Sequence, residues 1–111
     1  MNIQQIEKRI AAIKRELSAV GPMHPGSVSA QYNICGTPGC RCKDPKKPRK
    51  HGPYYQLSYT SGGRHNTRFV RPDQLAAMRG KVKQHRRLRE LVQEWVALCV
   101  EQERLERGLA H

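Results

Sequence analysis

The chain has 111 residues, 37% hydrophobic and only 5% aromatic, with a mean hydropathy of -0.79, so one small core is the most it is expected to bury, and help from a metal or partner subunit is expected. No stretch approaches the ~18 uninterrupted apolar residues of a membrane span, and the charged run from Met1 to Ile10 does not suit a signal peptide, which points to a cytoplasmic protein without a membrane role. The net charge of +12 comes from one segment, since residues 41–89 hold 15 of the 21 Lys and Arg against only Asp44 and Asp73, and such a field of one sign points to a polyanionic partner, nucleic acid before an anionic surface.

Residues 1–20 place Ile3, Ile6, Ile10, Ile13, Leu17 and Val20 at alternating steps of three and four among Lys, Arg, Glu and Gln, the stripe of an amphipathic helix. Gly21-Pro22 is expected to end it, with glycine as the C-terminal cap. From Ser27 the period becomes two. Val28, Ala30, Tyr32 and Ile34 alternate with Ser27, Ser29, Gln31 and Asn33, which predicts a half-buried strand.

A loop rich in Cys, Gly, Pro and Lys runs from 35 to 53, and β-prone runs at 54–60 and 65–70 then flank Ser61-Gly62-Gly63, a hairpin signal. The sheet is expected to be three-stranded and antiparallel, with Tyr55, Leu57 and Tyr59 on one face and Tyr54 and Gln56 on the other. Pro72-Asp73 opens a last helix that runs to residue 109 with a possible bend near Gly80. Leu88, Leu91, Trp95, Leu98, Gln102, Leu105 and Leu109 carry a heptad-like stripe there; Leu75, Met78 and Val82 follow a different register, and Val92, Val96 and Cys99 widen the face.

The expected fold class is therefore α+β in a single domain, 1–111: an N-terminal helix (1–20), a metal-loop and hairpin module (26–71) and a long C-terminal helix (72–109) in a helical bundle. At 1.5 Å per residue the second helix would span roughly 55 Å and the first about 27 Å, so one cannot cover the other. A homodimer about a twofold axis is the expected assembly.

Cys35-Gly-Thr-Pro-Gly-Cys40-Arg-Cys42 supplies three thiols within eight residues, with Gly and Pro for the tight turns that bring sulfurs to one point. In a reducing compartment such spacing favours a metal over disulfides, and soft ligands in a turn-rich loop suit zinc, with an iron–sulfur cluster or a redox loop as lesser readings. A structural zinc takes four ligands, and His51 is the expected fourth, with His24 and His65 as competitors. Cys99, inside an apolar helical stripe, is expected to be buried packing, and His85 and His111 to be solvated or phosphate contacts.

The frame Gly26-Ser27, Cys35-Gly36, Cys40-Arg41-Cys42 and His51-Gly52-Pro53-Tyr54-Tyr55, followed by a hairpin and a charged helix, resembles a family of small bacterial proteins classed as a domain of unknown function, over about residues 26–96. The resemblance implies a zinc-binding knuckle and an association with mobile elements. It implies no reaction or substrate.

Arg41, Lys43, Lys46, Lys47, Arg49 and Lys50 crowd the loop, which a metal would hold as a displayed cationic surface. Arg64, Arg68 and Arg71 follow from the hairpin, and Arg79, Lys81, Lys83, Arg86, Arg87 and Arg89 from the helix. Phosphate contacts of this kind give affinity with strong salt dependence; Tyr54, Gln56, Tyr59, Asn66 and Thr67 are available to read bases, although Tyr55 and Tyr59 read better as packing. Tyrosines stacking on unpaired bases would favour RNA or single strands, whereas the long basic helix and dimer symmetry point to duplex DNA, so DNA is favoured over RNA as the partner.

These features predict a dimeric, zinc-stabilised nucleic-acid-binding protein of accessory or regulatory type. The alternative is a structural subunit of a larger nucleoprotein assembly that docks a protein through the acidic helix end around Glu94, Glu101, Glu103 and Glu106. Enzymatic function is not expected. Carboxylates are scarce in the central region, and no Walker loop, dinucleotide fingerprint, deaminase pattern or serine–histidine context is found.

Overall fold

The computed structural model describes residues 1–34, 37–47 and 49–109. In chain order the elements are helix α1 (Ile3–Ser18), strands β1 (Ser27–Asn33), β2 (His51–Ser61) and β3 (Arg64–Val70), and helix α2 (Leu75–Leu109). One-turn 3-10 segments precede β2 at Arg41–Lys43 and α2 at Pro72–Gln74. An N-terminal helix, a three-stranded antiparallel sheet and a long C-terminal helix are thus present, as the sequence predicts. No described helix is long and apolar enough to cross a membrane.

The chain divides into two compact units, one of residues 1–23 with 83–111 and one of residues 24–82. The helical unit begins with a capping box: the Asn2 side chain accepts from the Gln5 backbone N–H at 2.8 Å, and the Gln5 side chain accepts from the Asn2 N–H at 2.9 Å. These bonds satisfy N-terminal groups that a helix otherwise leaves open. The predicted stripe on α1 is the buried one, with Ile6 and Ile13 fully covered and Ile3, Ile10, Leu17 and Val20 half-buried. Leu91 is its buried counterpart on α2, with Leu88, Trp95, Leu98 and Leu105 half-buried beside it.

Polar groups border this seam. Arg9 donates from Nε and Nη2 to the two carboxylate oxygens of Glu94 at 2.6 and 2.8 Å, and Arg87 donates to Glu16 at 3.2 Å. Lys14 lies 5.3 Å from the centre of the Trp95 ring. Two expectations change here. Gly21 is not the cap of α1, because Ala19 ends the helix in a right-handed conformation, and the N–H groups of Ala19 and Val20 donate to the carbonyls of Glu16 and Leu17 at 3.1 and 3.2 Å. Cys99 is exposed, on the flank of α2 that continues into Val92, Val96 and Val100 at 42%, 57% and 65% exposure.

In the sheet unit β2 lies between β1 and β3. The hairpin turns on Gly62 and Gly63, whose φ values of +58° and +77° are the left-handed pair that a two-residue turn requires, and Ser61 pairs with Arg64 across it. Leu57 is fully buried at the centre, clustered with Val70 and with Met78 and Val82 from the first turns of α2; Val28, Tyr55 and Tyr59 flank it. This explains the register change along α2, whose residues up to Val82 serve the sheet while those from Lys83 serve the helical unit.

The cluster reaches β1 only at Val28, which pairs with Leu57. Ala30, Tyr32 and Ile34, expected on the buried side with Val28, are therefore exposed, because the alternation continues beyond the residues that cover it.

The Arg9 contact holds the Glu94 carboxyl below the ordinary glutamate range. Its stabilising contribution is therefore complete above that ordinary range, ~4.3, and is lost as pH falls through the depressed value. Glu94→Gln is expected to lower stability at neutral pH, and the difference from wild type should shrink as denaturant unfolding is repeated into the acid range.

Candidate metal centre

Where β1 ends, Asn33 pairs with His51 after a register break that follows Gln31, so the chain leaves the sheet and re-enters it at adjacent points. The residues between form a closed loop. β2 begins at His51, three residues before the predicted start, because Gly52 makes the return possible: its φ is +129°, and a Cβ built on it would stand 2.6 Å from the carbonyl oxygen of Gln31. Any other residue there would strain the backbone and push β1 away.

Within the loop, the N–H of Cys40 donates to the carbonyl of Thr37 at 3.4 Å, and the N–H of Lys43 donates to the carbonyl of Cys40 at 3.0 Å. The 3-10 turn Arg41–Lys43 brings Cys42 inward, where it is 1% exposed although it lies apart from the Leu57 cluster. Cys40 and His51 are half-buried, with Cys40 Sγ 3.1 Å from His51 Nε2. The donor atoms of Cys40, Cys42 and His51 all lie within 4.8 Å of one another. Ligands of one tetrahedral ion bound at ~2.0–2.3 Å stand about 3.3–3.8 Å apart, so the three could hold a metal ion with little movement.

Cys35, the first thiol of the expected set, lies outside the described residues, as does His111. His24 and His65 are placed elsewhere. His24 Nδ1 lies 2.7 Å from the carbonyl of Pro25 and its ring stands edge-on to Tyr59, whereas His65 sits by the hairpin turn with Nδ1 3.5 Å from Thr60 Oγ1.

The cations of the loop are exposed around this cluster: Arg41, Lys43, Lys46, Lys47, Arg49 and Lys50. The loop is also tied by its own backbone, since the carbonyl of Arg41 accepts from the N–H groups of Asp44 and Arg49 at 3.2 and 2.9 Å, and Asp44 accepts from the N–H of Lys46 at 2.9 Å. Residues 24–82 contain eleven Lys and Arg against two Asp, a net +9, whereas the helical unit has ten against seven Glu.

Arg64, Arg68, Arg79, Lys81, Lys83, Arg86 and Arg89 are likewise exposed. Arg79 lies 5.7 Å from the centre of the Tyr55 ring, and Arg87 is engaged by Glu16. Tyr55 and Tyr59 pack on the Leu57 cluster, whereas Tyr54 and Phe69 are exposed by 44% and 67%. The face that Phe69 takes follows from its pairing with Gln56, a register that periodicity alone leaves open.

The fold and the site together define a small α+β protein with a Cys/His cluster beside a three-stranded sheet. The chain belongs to the family described as Domain of unknown function (DUF6788), whose family model matches residues 3–80. That span takes in α1, the sheet and the first six residues of α2. No curated protein and no solved structure matches the chain significantly.

Gly52→Ala, which alters no donor atom, is expected to cost about 1–3 kcal/mol in denaturant unfolding through backbone strain and to weaken metal uptake through displacement of His51. Unchanged stability and uptake would show that the return of the chain into β2 does not set the site.

Proposed function

We propose that this protein is a non-enzymatic, zinc-stabilised nucleic-acid-binding protein of accessory or regulatory type, with DNA favoured over RNA. The observation that carries this reading is the coincidence of two features in one loop: the Cys40, Cys42 and His51 donors converge, and the six cations from Arg41 to Lys50, which lie between Cys40 and His51 in the chain, stand in solvent. Two thiolates and an imidazole are a soft set that suits zinc, and Cys35 would complete four-coordination. Structural zinc contributes on the order of 10 kcal/mol to folding, far more than a loop without an apolar cluster has otherwise. A surface held in place by a metal meets phosphates with little ordering cost, and it releases counterions from the nucleic acid as it does so.

The competing reading, a subunit docked through the acidic end of α2, draws less support. Glu94 is held by Arg9 and Glu101 by Arg104, while the longer, exposed contact of Glu103 with Arg107 at 3.4 Å leaves Glu103 able to meet a second cation.

The purified chain is expected to hold about one zinc, and Cys40→Ser should lose it together with the loop; His51→Ala should bind more weakly. DNA affinity of the zinc-loaded protein should fall steeply with salt, and removal of the zinc should weaken it. A metal-free protein that is folded, or one that ignores DNA and RNA at low ionic strength, would refute the reading.

The reading includes a homodimer, for which α2 offers a face. Val92, Val96 and Val100 recur every four residues on its exposed side, with Arg89 and Glu103 at either end of the same stripe. Antiparallel pairing about Val96 sets Val92 against Val100 of the second copy and Arg89 near the opposing Glu103; parallel pairing would oppose like charges. Charge reversal at Arg89 or Glu103 alone is expected to weaken association about tenfold in sedimentation, and reversal of both to restore it. Equal association in all four proteins would exclude this face.

A further inference from the structure

We propose that the outer face of the sheet binds unpaired bases of a DNA strand by stacking them on Tyr54 and Phe69. The inference rests on the nucleic-acid reading above and names the form of nucleic acid that the site takes. Partners in an antiparallel pair share a face, so the register Gln31↔Tyr54, Ser29↔Gln56 and Gln56↔Phe69 places these residues together on the side opposite Leu57. Tyr54 and Phe69 stand there as an inclined pair, with centroids 6.5 Å apart and planes at 67°.

Both rings stand on the face that the Leu57 cluster leaves open. The chain has one Phe, and it is 67% exposed while the neighbouring Leu57 and Val70 are buried. Two shallow hollows adjoin the rings, and both Tyr54 and Phe69 line each of them. Asn33 and His51 contribute to the first, and Arg71 to the second. Aromatic faces with a hollow alongside, amide side chains of Gln31 and Gln56 across the same sheet, and a guanidinium at one edge fit bases and phosphates together.

Charge selects the occupant. The unit that carries this face has a net charge of +9, so an apolar protein partner would leave the cations unanswered whereas a polyphosphate strand would meet them. The bases must be unpaired, because stacking needs a π-face that a duplex keeps inside its own stack.

The test uses the full, zinc-loaded chain at low ionic strength, with fluorescence anisotropy on a short single-stranded DNA, the same strand with abasic sites, and the matched duplex. The wild type should bind the intact strand best. Phe69→Ala and Tyr54→Ala should each weaken that binding about tenfold while leaving the abasic strand and the duplex unchanged. Phe69→Trp should restore affinity, and the new indole should be quenched on binding. If Phe69→Ala binds the intact strand as wild type does, or loses equally on the abasic strand, the stacking site is wrong although the nucleic-acid reading survives. If the wild type binds no form of DNA or RNA at all, that reading falls first and takes this one with it.

Discussion

The convergence of Cys40, Cys42 and His51 on one point is the constraint around which the loop between β1 and β2 is arranged. Between Asn33 and His51 the described residues form no helix longer than one turn and no apolar cluster of their own, and six of them are exposed cations that repel one another. A loop of that composition would lose a great deal of conformational entropy on ordering. What counters this is local: the Asn33 to His51 pairing at its base and the two N–H groups received by the Arg41 carbonyl. Three metal-type donors within 4.8 Å of one another could hold an ion that adds to these bonds.

The remainder of the fold supplies a floor for this loop and a separate helical unit. Leu57 closes the sheet face with Val70, Met78 and Val82, which leaves the opposite face uncommitted to the core. The helical unit is built on a different principle, a narrow apolar seam of Ile6, Ile13 and Leu91 bordered by the two-point contact of Arg9 with Glu94. Its charge is nearly balanced, in contrast to the sheet unit, so the segregation of charge follows the division of the chain.

Periodicity was the readable part. The stripe of Ile residues on α1 and the Gly62-Gly63 hairpin were both legible because each depends on neighbours a few residues away, and the Cys and His spacing marked the donor cluster for the same reason. What depended on distant partners was not. The alternation from Val28 to Ile34 said which side would face the core, yet the core extends only to Val28. His51-Gly52-Pro53 reads as loop, and only the pairing with Asn33 makes it strand. In α2 the apolar character of Val92, Val96 and Cys99 was plain, but not that α1 covers the other side. The side of the sheet that Phe69 occupies required the β2–β3 register to be known.

A sheet of only three strands leaves one margin of β1 and one of β3 without neighbours among the described residues. Such margins invite strands from other molecules, the first step toward aggregation. Here β1 breaks register after Gln31, which spoils it as a template, and β3 carries Arg64 and Arg68 in solvent. The exposed cations thus keep identical sheets apart when copies of the chain crowd together, so that neighbours can sit close without fusing into fibres.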